Sequence, residues 1–155
     1  MKETYQQMRQ RHSREAGRLP LKFAFSADQL KQILKEWKGQ KVIHGPSGMF
    51  YRKADRDFIH AEFDRIAKEE RTFLTDPDRF YQAALYEMQN HEYGINWQGD
   101  WDVLQSLGFD ADSAGPVDEL TTADYCSRLL SEPQAKAYKA AKSEYYRLAL
   151  ENEWF

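Results

Sequence analysis

The sequence has a single cysteine, Cys126, and no apolar run of about eighteen residues, the length that a membrane-spanning helix needs. One cysteine can form neither an intramolecular disulfide nor a thiolate-rich zinc site. Residues 1–17 are polar and have no apolar segment of the kind found in signal peptides. These absences predict a cytoplasmic protein that does not associate with membranes.

The sequence also has no recognised catalytic signature. It contains no Gly-x-Ser-x-Gly nucleophile elbow, no His-Glu-x-x-His zinc motif and no phosphate-binding loop followed by Lys and Ser or Thr. Cys126 has no neighbouring histidine in the sequence that could activate it. The sequence motifs therefore identify no reaction, and we expect no cofactor.

What is present is typical of a folded chain with an uneven charge distribution. Of the 155 residues, 41% are hydrophobic, 14% are aromatic and 30% are charged. Residues 1–53 carry twelve basic and four acidic side chains, whereas the remainder is acidic, and the formal net charge is −3. Such a division points to a charged partner, or to two oppositely charged faces of one fold.

The hydrophobic pattern predicts a mainly helical α+β fold with about five or six helices. A small antiparallel hairpin or sheet is expected near residues 21–52, since β-prone segments at 41–44 and 49–52 flank a turn rich in glycine. We expect residues 1–18 to form a separate polar and basic helix. Residues 19–155 are expected to form one globular domain.

Local capping signals predict where several helices begin and end. Ser26 and Gln29 have the spacing of a capping box, in which each side chain bonds the other's backbone N–H. Asp76 before a proline predicts another helix start. Asp100 is predicted to cap a short helix that stops at Gly108.

The window from Glu87 to Trp101 is the densest in side chains that can bind, coordinate or transfer protons. It reads E-M-Q-N-H-E-Y-G-I-N-W-Q-G-D-W and joins two predicted helices. Aromatic side chains on a rigid loop supply a large contact area at low entropic cost. The candidate binding residues are therefore His91, Glu92, Tyr93, Asn96, Trp97 and Trp101.

Two interpretations of the start of this window stay open. Glu87, His91, Glu92 and Tyr93 could form the centre of an enzyme, with Glu87 and His91 placed four residues apart so that both reach a metal ion. Alternatively, His91 lies in the last helical turn because an imidazole is favourable at the negative end of the helix dipole.

The N-terminal helix offers a second candidate contact surface. Its basic residues could lie along nucleic-acid phosphates or along an acidic protein surface. The members of this predicted basic face are Arg9, Arg11, Arg14 and Arg18.

Three segments resemble a family of small uncharacterised proteins of bacteria and their phages. They are F-A-F-S-A-D-Q-L-K-Q at residues 23–32, K-V-I-H-G-P-S-G-M-F-Y-R-K at 41–53, and L-Y-E-M-Q-N-H-E-Y-G-I-N-W at 85–97 with D-V-L-Q-S-L-G-F following. The resemblance covers about residues 21–109, and its most specific part is Asn90-His91-Glu92-Tyr93. It implies a bacterial or phage origin and no particular activity.

Taken together, these observations predict a small binding or regulatory protein without catalysis, acting through a macromolecular partner. A protein partner is favoured, nucleic-acid binding through the basic N-terminal third is an alternative, and self-association into a homo-oligomer stays open. The enzyme alternative rests on Glu87, His91, Glu92 and Tyr93. Whether Tyr93 and Trp97 belong to the core or to the surface decides whether this segment can be a binding surface.

Overall fold

The predicted α+β fold with a predominance of helix is confirmed. A computed structural model describes residues 2–154, which contain seven α-helices and a small three-stranded antiparallel sheet. The helices and strands are α1 (Tyr5–Gly17), β1 (Lys22–Phe23), α2 (Ala27–Glu36), β2 (Val42–His44), β3 (Met49–Arg52), α3 (Arg56–Phe73), α4 (Pro77–Asn90), α5 (Gly99–Ser106), α6 (Thr122–Leu129) and α7 (Glu132–Glu151). Within the described residues, no helix combines the length and the apolar character needed to cross a membrane.

The chain forms two compact units, and their boundaries differ from the predicted division at residue 18. The sheet unit is Gln10–Ile66, and the helical unit combines the residues up to Arg9 with those from Ala67 onward. Helices α1 and α3 contribute residues to both units. The first turns of α1 belong to the helical unit because Tyr5 and Met8 are buried in its core.

The sheet unit contains the predicted hairpin. Strands β2 and β3 pair in an antiparallel register with Ile43 opposite Tyr51, and β1 pairs along the other edge of β3. Helix α2 begins at the expected cap, where the Ser26 side chain accepts a hydrogen bond from the Gln29 backbone N–H. The side chain of Gln29 accepts from the Phe25 N–H, one residue before the position predicted by the capping box.

The helical unit is built around the pairing of α4 with α7. Helix α4 begins as predicted at Asp76, whose side chain accepts from the Asp78 N–H, and has Pro77 in its first turn. Helix α7 begins with a capping box made by Ser131 and Gln134. The two helices pack against each other and, together with α5 and α6, bury apolar and aromatic side chains such as Phe80, Met88, Val103, Leu104, Tyr125, Tyr138 and Tyr145.

The predicted capping role of Asp100 is wrong. Helix α5 starts at Gly99, and its cap position is Gln98, two residues before Asp100, with no side-chain cap bond. The first residue of α5 packs tightly against the preceding loop. A Cβ atom on Gly99 would lie 2.8 Å from Cδ2 of Tyr93 and 3.1 Å from its carbonyl oxygen. Because it does not cap α5, the Asp100 carboxylate is free to make contacts elsewhere.

We predict that Gly99→Ala lowers the free energy of unfolding by about 1–3 kcal/mol, because the added methyl group overlaps the Tyr93 ring and its backbone. Chemical denaturation monitored by circular dichroism measures this. Gly17→Ala at the end of α1 is the matched control, since its Cβ meets nothing within 4 Å. Equal stability of the two variants would contradict the close approach of α5 to Tyr93.

Candidate functional site

The segment between α4 and α5 is a short loop held by hydrogen bonds at both ends. Asn96 is its central anchor: its side-chain nitrogen donates to the His91 carbonyl oxygen at 3.2 Å and to Asp102 Oδ2 at 2.6 Å. Its side-chain oxygen accepts from the Gln98 backbone N–H at 3.1 Å. At the other end, the Gly94 N–H donates to the Tyr145 hydroxyl of α7. The loop is therefore a fixed part of the helical unit.

The two aromatic residues of this loop have opposite environments. Tyr93 is 6% exposed and belongs to the core of the helical unit, where its ring makes edge contacts with Tyr145 and Tyr146. Trp97 is 74% exposed and Ile95 is 66% exposed. The Tyr93 side chain thus anchors the loop in the core, whereas the Trp97 side chain is exposed to solvent.

The Asp100 carboxylate accepts hydrogen bonds from three hydroxyl groups. The hydroxyls of Tyr93 and Tyr138 each donate to Oδ1 at 2.6 Å, and that of Thr122 donates to Oδ2 at 2.8 Å. These donors come from the loop, α7 and α6 respectively. The Lys142 Nζ in turn donates to the Thr122 Oγ1 at 2.8 Å. Asp100 therefore connects three separate segments of the helical unit.

A cavity of about 190 Å³ opens beside this carboxylate. Four of the predicted binding residues line it, namely Tyr93, Asn96, Trp97 and Trp101. Asp100, Thr122, Tyr125 and Lys142 line it as well, so the polar network around the carboxylate forms part of the wall. The indole N–H of Trp101 is already engaged, because it donates to Asp112 Oδ1 at 2.8 Å.

Tyr125 and Lys142 differ in how their polar atoms are placed. The Tyr125 hydroxyl is buried within the packed helices and has no hydrogen-bond partner among the described residues. Lys142 is half-buried, donates to Thr122, and has its Nζ 5.8 Å from the centroid of the Tyr93 ring. Buried polar groups nearly always have partners, and each exception needs an explanation.

The electrostatics of the cavity keep its tyrosines protonated. Burial, followed by the negative charge of Asp100, raises the pKa of both Tyr93 and Tyr138 above the ordinary value. Burial, followed by the charges of Asp100 and Asp112, raises the pKa of Tyr125 in the same direction. These hydroxyl groups therefore stay protonated at neutral pH, and those of Tyr93 and Tyr138 donate to Asp100.

A second concavity borders the same loop and has a volume of about 360 Å³. Ile95 and Trp154, two of the exposed apolar side chains, line it together with Tyr145. Glu92, another predicted binding residue, belongs to this groove. Its φ of 51° lies in the left-handed region that favours glycine, as is common one position beyond a helix end.

Glu87 and His91 contact each other at the end of α4. His91 is the C-terminal cap residue of α4, as the dipole interpretation expects, and its Nε2 lies 3.3 Å from Glu87 Oε2 and 2.8 Å from Ser106 Oγ. Both contacts involve the same ring nitrogen, whereas a serine–histidine–acid triad uses one nitrogen for each partner. Glu87 is buried and also accepts from the Tyr5 hydroxyl at 3.0 Å.

The four residues of the enzyme alternative are divided among different surroundings. Glu87 and His91 contact each other, Glu92 lines the apolar groove, and the Tyr93 hydroxyl points to Asp100. Among residues 2–154, no three histidine, cysteine, aspartate or glutamate side chains lie close enough together to hold a metal ion. Glu87 and His91 therefore lack a third ligand of these types in the described part of the chain.

The predicted basic face of α1 is partly neutralised. Arg9 Nη1 lies 3.1 Å from Glu70 Oε1, and Arg11 Nη1 lies 3.0 Å from Glu15 Oε1. Ion pairing with a neighbouring carboxylate reduces the positive charge that a phosphate would encounter. The other two members of this face, Arg14 and Arg18, are exposed.

The candidate binding residues include only four of the fourteen residues that line the cavity. The sequence predicts a cap role for Asp100, a possible helix start at Thr122 and an inward-facing position for Tyr138, but no binding role for these residues or for Tyr125 and Lys142. The spacing of 125, 138 and 142 gives no local signal, because these residues lie on two helices whose pairing depends on the tertiary fold. One sequence signal could have indicated a buried polar network, namely the number of tyrosines on helices that also carry polar residues. Buried tyrosines usually have hydrogen-bond partners.

Comparison with known proteins assigns the chain to a family but not to an activity. The chain belongs to a family of unknown function, DUF7659, which matches residues 4–123. No curated protein and no solved structure matches the chain. The predicted resemblance to an uncharacterised family is confirmed at this level. The matched residues include the loop and Asp100, whereas Tyr125, Tyr138 and Lys142 lie beyond them.

We predict that Asp100→Ala lowers the free energy of unfolding by about 2–4 kcal/mol, because it leaves the buried Tyr93 and Tyr138 hydroxyls without their acceptor. Urea denaturation measures the change. Asp118→Ala, which removes the same charge from an exposed loop position, is the control and is expected to be nearly neutral. A loss below about 0.5 kcal/mol for Asp100→Ala would contradict its connecting role.

We also predict that tyrosine ionisation is delayed in the folded protein. Because the pKa values of Tyr5, Tyr93 and Tyr138 are raised on folding, stability from these groups is present below about pH 10 and is lost as the pH rises further. At about pH 11, roughly one pH unit above the ordinary tyrosine pKa, the folded protein in buffer is therefore expected to absorb less as tyrosinate than the protein unfolded in concentrated urea. Identical titration curves would contradict the prediction.

Proposed function

We propose that this protein is a non-catalytic binding or regulatory protein that acts through a protein partner, in the cytoplasm of a bacterium or of a phage-infected cell. The observation that carries the proposal is the exposure of Trp97, at 74%, on a loop fixed by hydrogen bonds. A large aromatic side chain left in water is unfavourable by itself. Tryptophan is also the residue type most enriched at interface hot spots.

The loop meets a second requirement of a binding surface, which is preorganisation. Asn96 makes three hydrogen bonds immediately before Trp97, and Tyr93 anchors the other end of the segment in the core. A side chain presented on a fixed backbone loses little conformational freedom on binding, so more of its contact energy appears as affinity.

The apolar groove beside the loop extends this surface. Ile95 is 66% exposed and Trp154 is 45% exposed, and both line the groove with Tyr145. Apolar patches bordered by polar side chains are typical of protein–protein contacts. We propose that the groove receives an apolar side chain of the partner while Trp97 contacts the partner's surface.

The charge near the loop favours a protein over a nucleic acid as the partner. Glu92, Asp100 and Asp102 lie in or beside the loop, and acidic side chains repel phosphates. On α1, Arg9 and Arg11 are paired with glutamates. Nucleic-acid binding through the N-terminal third therefore remains the weaker alternative.

We predict that Trp97→Ala weakens partner binding about tenfold or more and changes the free energy of unfolding by less than about 0.5 kcal/mol. The partner is first enriched from the host with the wild-type protein and identified, and its affinity for purified variants is then measured by calorimetry. Phe58→Ala, at an apolar side chain that is 57% exposed in the sheet unit, is the matched control and is expected to bind like the wild type.

Several results would oppose this proposal. Equal affinity of the Trp97 and Phe58 variants would exclude the loop as the contact. Sedimentation that shows a concentration-dependent dimer disrupted by Trp97→Ala would identify a second copy of the chain as the partner. A loss of several kcal/mol in unfolding free energy would mean that Trp97 stabilises the core.

A further inference from the structure

We propose that the open edge of strand β2 binds an extended acidic segment of a partner protein, which adds to the sheet as a fourth strand. The strand order is β1-β3-β2, so β2 has a strand neighbour on one side only. The proposal rests on the proposed function only in taking the partner to be a protein. It concerns the sheet unit and not the loop that carries Trp97.

Two backbone hydrogen bonds fix the phase of the ladder between β2 and β3. The Lys53 N–H donates to the Lys41 carbonyl oxygen at 2.9 Å, and the Gly45 N–H donates to the Met49 carbonyl oxygen at 2.8 Å. In an antiparallel pair, hydrogen-bonded positions alternate with positions whose backbone groups point away from the partner strand. Positions 41, 43 and 45 therefore bond to β3, and the positions between them face the open edge.

The residues at those intervening positions are Val42 and His44. Their N–H and C=O groups receive no hydrogen bond within residues 2–154. Pairs without mutual hydrogen bonds bring their side chains closer together, and the His44 ring is accordingly stacked on that of Phe50, directly opposite, with 4.6 Å between centroids. Strand β2 thus offers a short row of backbone donors and acceptors, which is what an added strand pairs with.

Two lysines lie opposite each other at one end of this edge. The register that pairs Val42 with Arg52 continues to Lys41 and Lys53, whose backbones are hydrogen-bonded. Residues directly opposite each other project from the same face of a sheet, and like charges in such a pair are destabilising. Both lysines are exposed, and neither has an ion pair in the described part of the chain. A bound carboxylate would convert this repulsion into attraction.

A concavity of about 510 Å³ lies beside these two lysines, which line it together with Arg52. The acidic residues nearby are already engaged with arginines. Asp55 Oδ2 lies 2.7 Å from Arg52 Nε, and Asp57 Oδ1 lies 3.5 Å from Arg56 Nε. The lysines are therefore the cations left without a counter-charge, and the concavity gives an acidic side chain room beside them.

The two faces of the edge determine the sequence pattern of the segment. Successive side chains of a strand point to opposite faces, so an added strand has one set of side chains on the face of the lysines and the other set beside Val42 and His44. Val42 is half-buried, and the exposed His44 ring lies on Phe50, so this second face is largely apolar. We therefore expect acidic and apolar residues to alternate in the segment.

The same features disfavour other occupants of the edge. Pairing between the β2 strands of two copies would bring two pairs of lysines together, and lysine beside an edge strand is a common means of preventing such association. The phosphate backbone of a nucleic acid would accept hydrogen bonds from the lysines but donate none, so the outward carbonyl groups of β2 would stay without a partner.

The first experiment uses the wild-type protein and a fluorescein-labelled heptapeptide, Ser-Glu-Val-Glu-Val-Glu-Ser, and measures binding by fluorescence anisotropy. Two further peptides carry backbone N-methyl groups, one at both valines and the other at the three glutamates. If the segment adds in the antiparallel direction, the valine N–H groups point to β2, and in the parallel direction the glutamate N–H groups do. We expect methylation of one set to abolish binding and methylation of the other to preserve it.

Variants test the lysines and the backbone edge separately. The double variant Lys41→Gln/Lys53→Gln is expected to bind the unmodified peptide about five- to twentyfold more weakly, and its unfolding temperature is expected to be unchanged or higher because the repulsion is removed. Lys31→Gln, which removes an exposed charge from α2, is the control and is expected to bind like the wild type.

His44→Pro removes the outward N–H of β2 without removing a hydrogen bond to β3, and proline is tolerated at such edge positions. We expect it to bind the peptide about tenfold more weakly than His44→Ala, which removes the ring alone. Circular dichroism confirms that each variant is folded. The N-methylated peptides provide the same test without any change to the protein.

The proposal would be overturned by any of several results. These are no saturable binding of the acidic peptide, equal binding of the two N-methylated peptides, and equal binding of a peptide with lysine in place of glutamate. Oligothymidylate binding that displaces the peptide and is lost in the lysine double variant would assign the edge to nucleic acid instead. Trp97→Ala is expected to bind the peptide like the wild type, so this proposal and the loop contact can fail independently.

Discussion

The candidate site depends on one interaction: the Asp100 carboxylate accepts hydrogen bonds from three hydroxyl groups. The donors, Tyr93, Thr122 and Tyr138, come from the loop and from two different helices. Each hydroxyl partly replaces the hydration that the carboxylate loses on folding. The same bonds fix Tyr93 at the base of the loop and orient Thr122, which in turn holds Lys142 at the cavity.

This arrangement gives one loop two kinds of surface. Its residues Tyr93, Asn96 and Trp97 form part of the wall of a polar cavity, and its side chains Ile95 and Trp97 are largely exposed to solvent. Close packing makes the arrangement possible, because only a glycine at position 99 lets α5 begin against the Tyr93 ring. A partner protein that contacts Trp97 would therefore meet a fixed segment of the chain.

The fold was largely predictable because its signals are local. Apolar periodicity predicts the helices, and Ser26 and Asp76 predict two helix starts that the structure confirms. The composition also singled out the loop as the candidate binding segment, and that assignment stays a prediction. Sequence alone could not decide between core and surface for Tyr93 and Trp97, because that depends on which side chain meets Tyr145 of α7.

The same limit explains the error at Asp100. An aspartate after a glycine and before an apolar helix has the local pattern of a cap, and the local pattern alone cannot reveal acceptors or donors 22 and 38 residues away. Likewise, the buried hydroxyl of Tyr125 has no local signature, since its surroundings within residues 2–154, where it has no hydrogen-bond partner, are set by the packing of the helices. Non-local contacts thus determined the site, whereas local ones determined the elements that carry it.

The most direct test of this account is a double-mutant cycle between Asp100 and Tyr138. The free energy of unfolding is measured by urea denaturation for the wild type, Asp100→Asn, Tyr138→Phe and the double variant. We predict a coupling energy of about 1–2 kcal/mol, because removing the tyrosine hydroxyl matters less once the charged acceptor is gone. A coupling energy of zero within error would contradict the claim that this carboxylate holds the helical unit around the cavity.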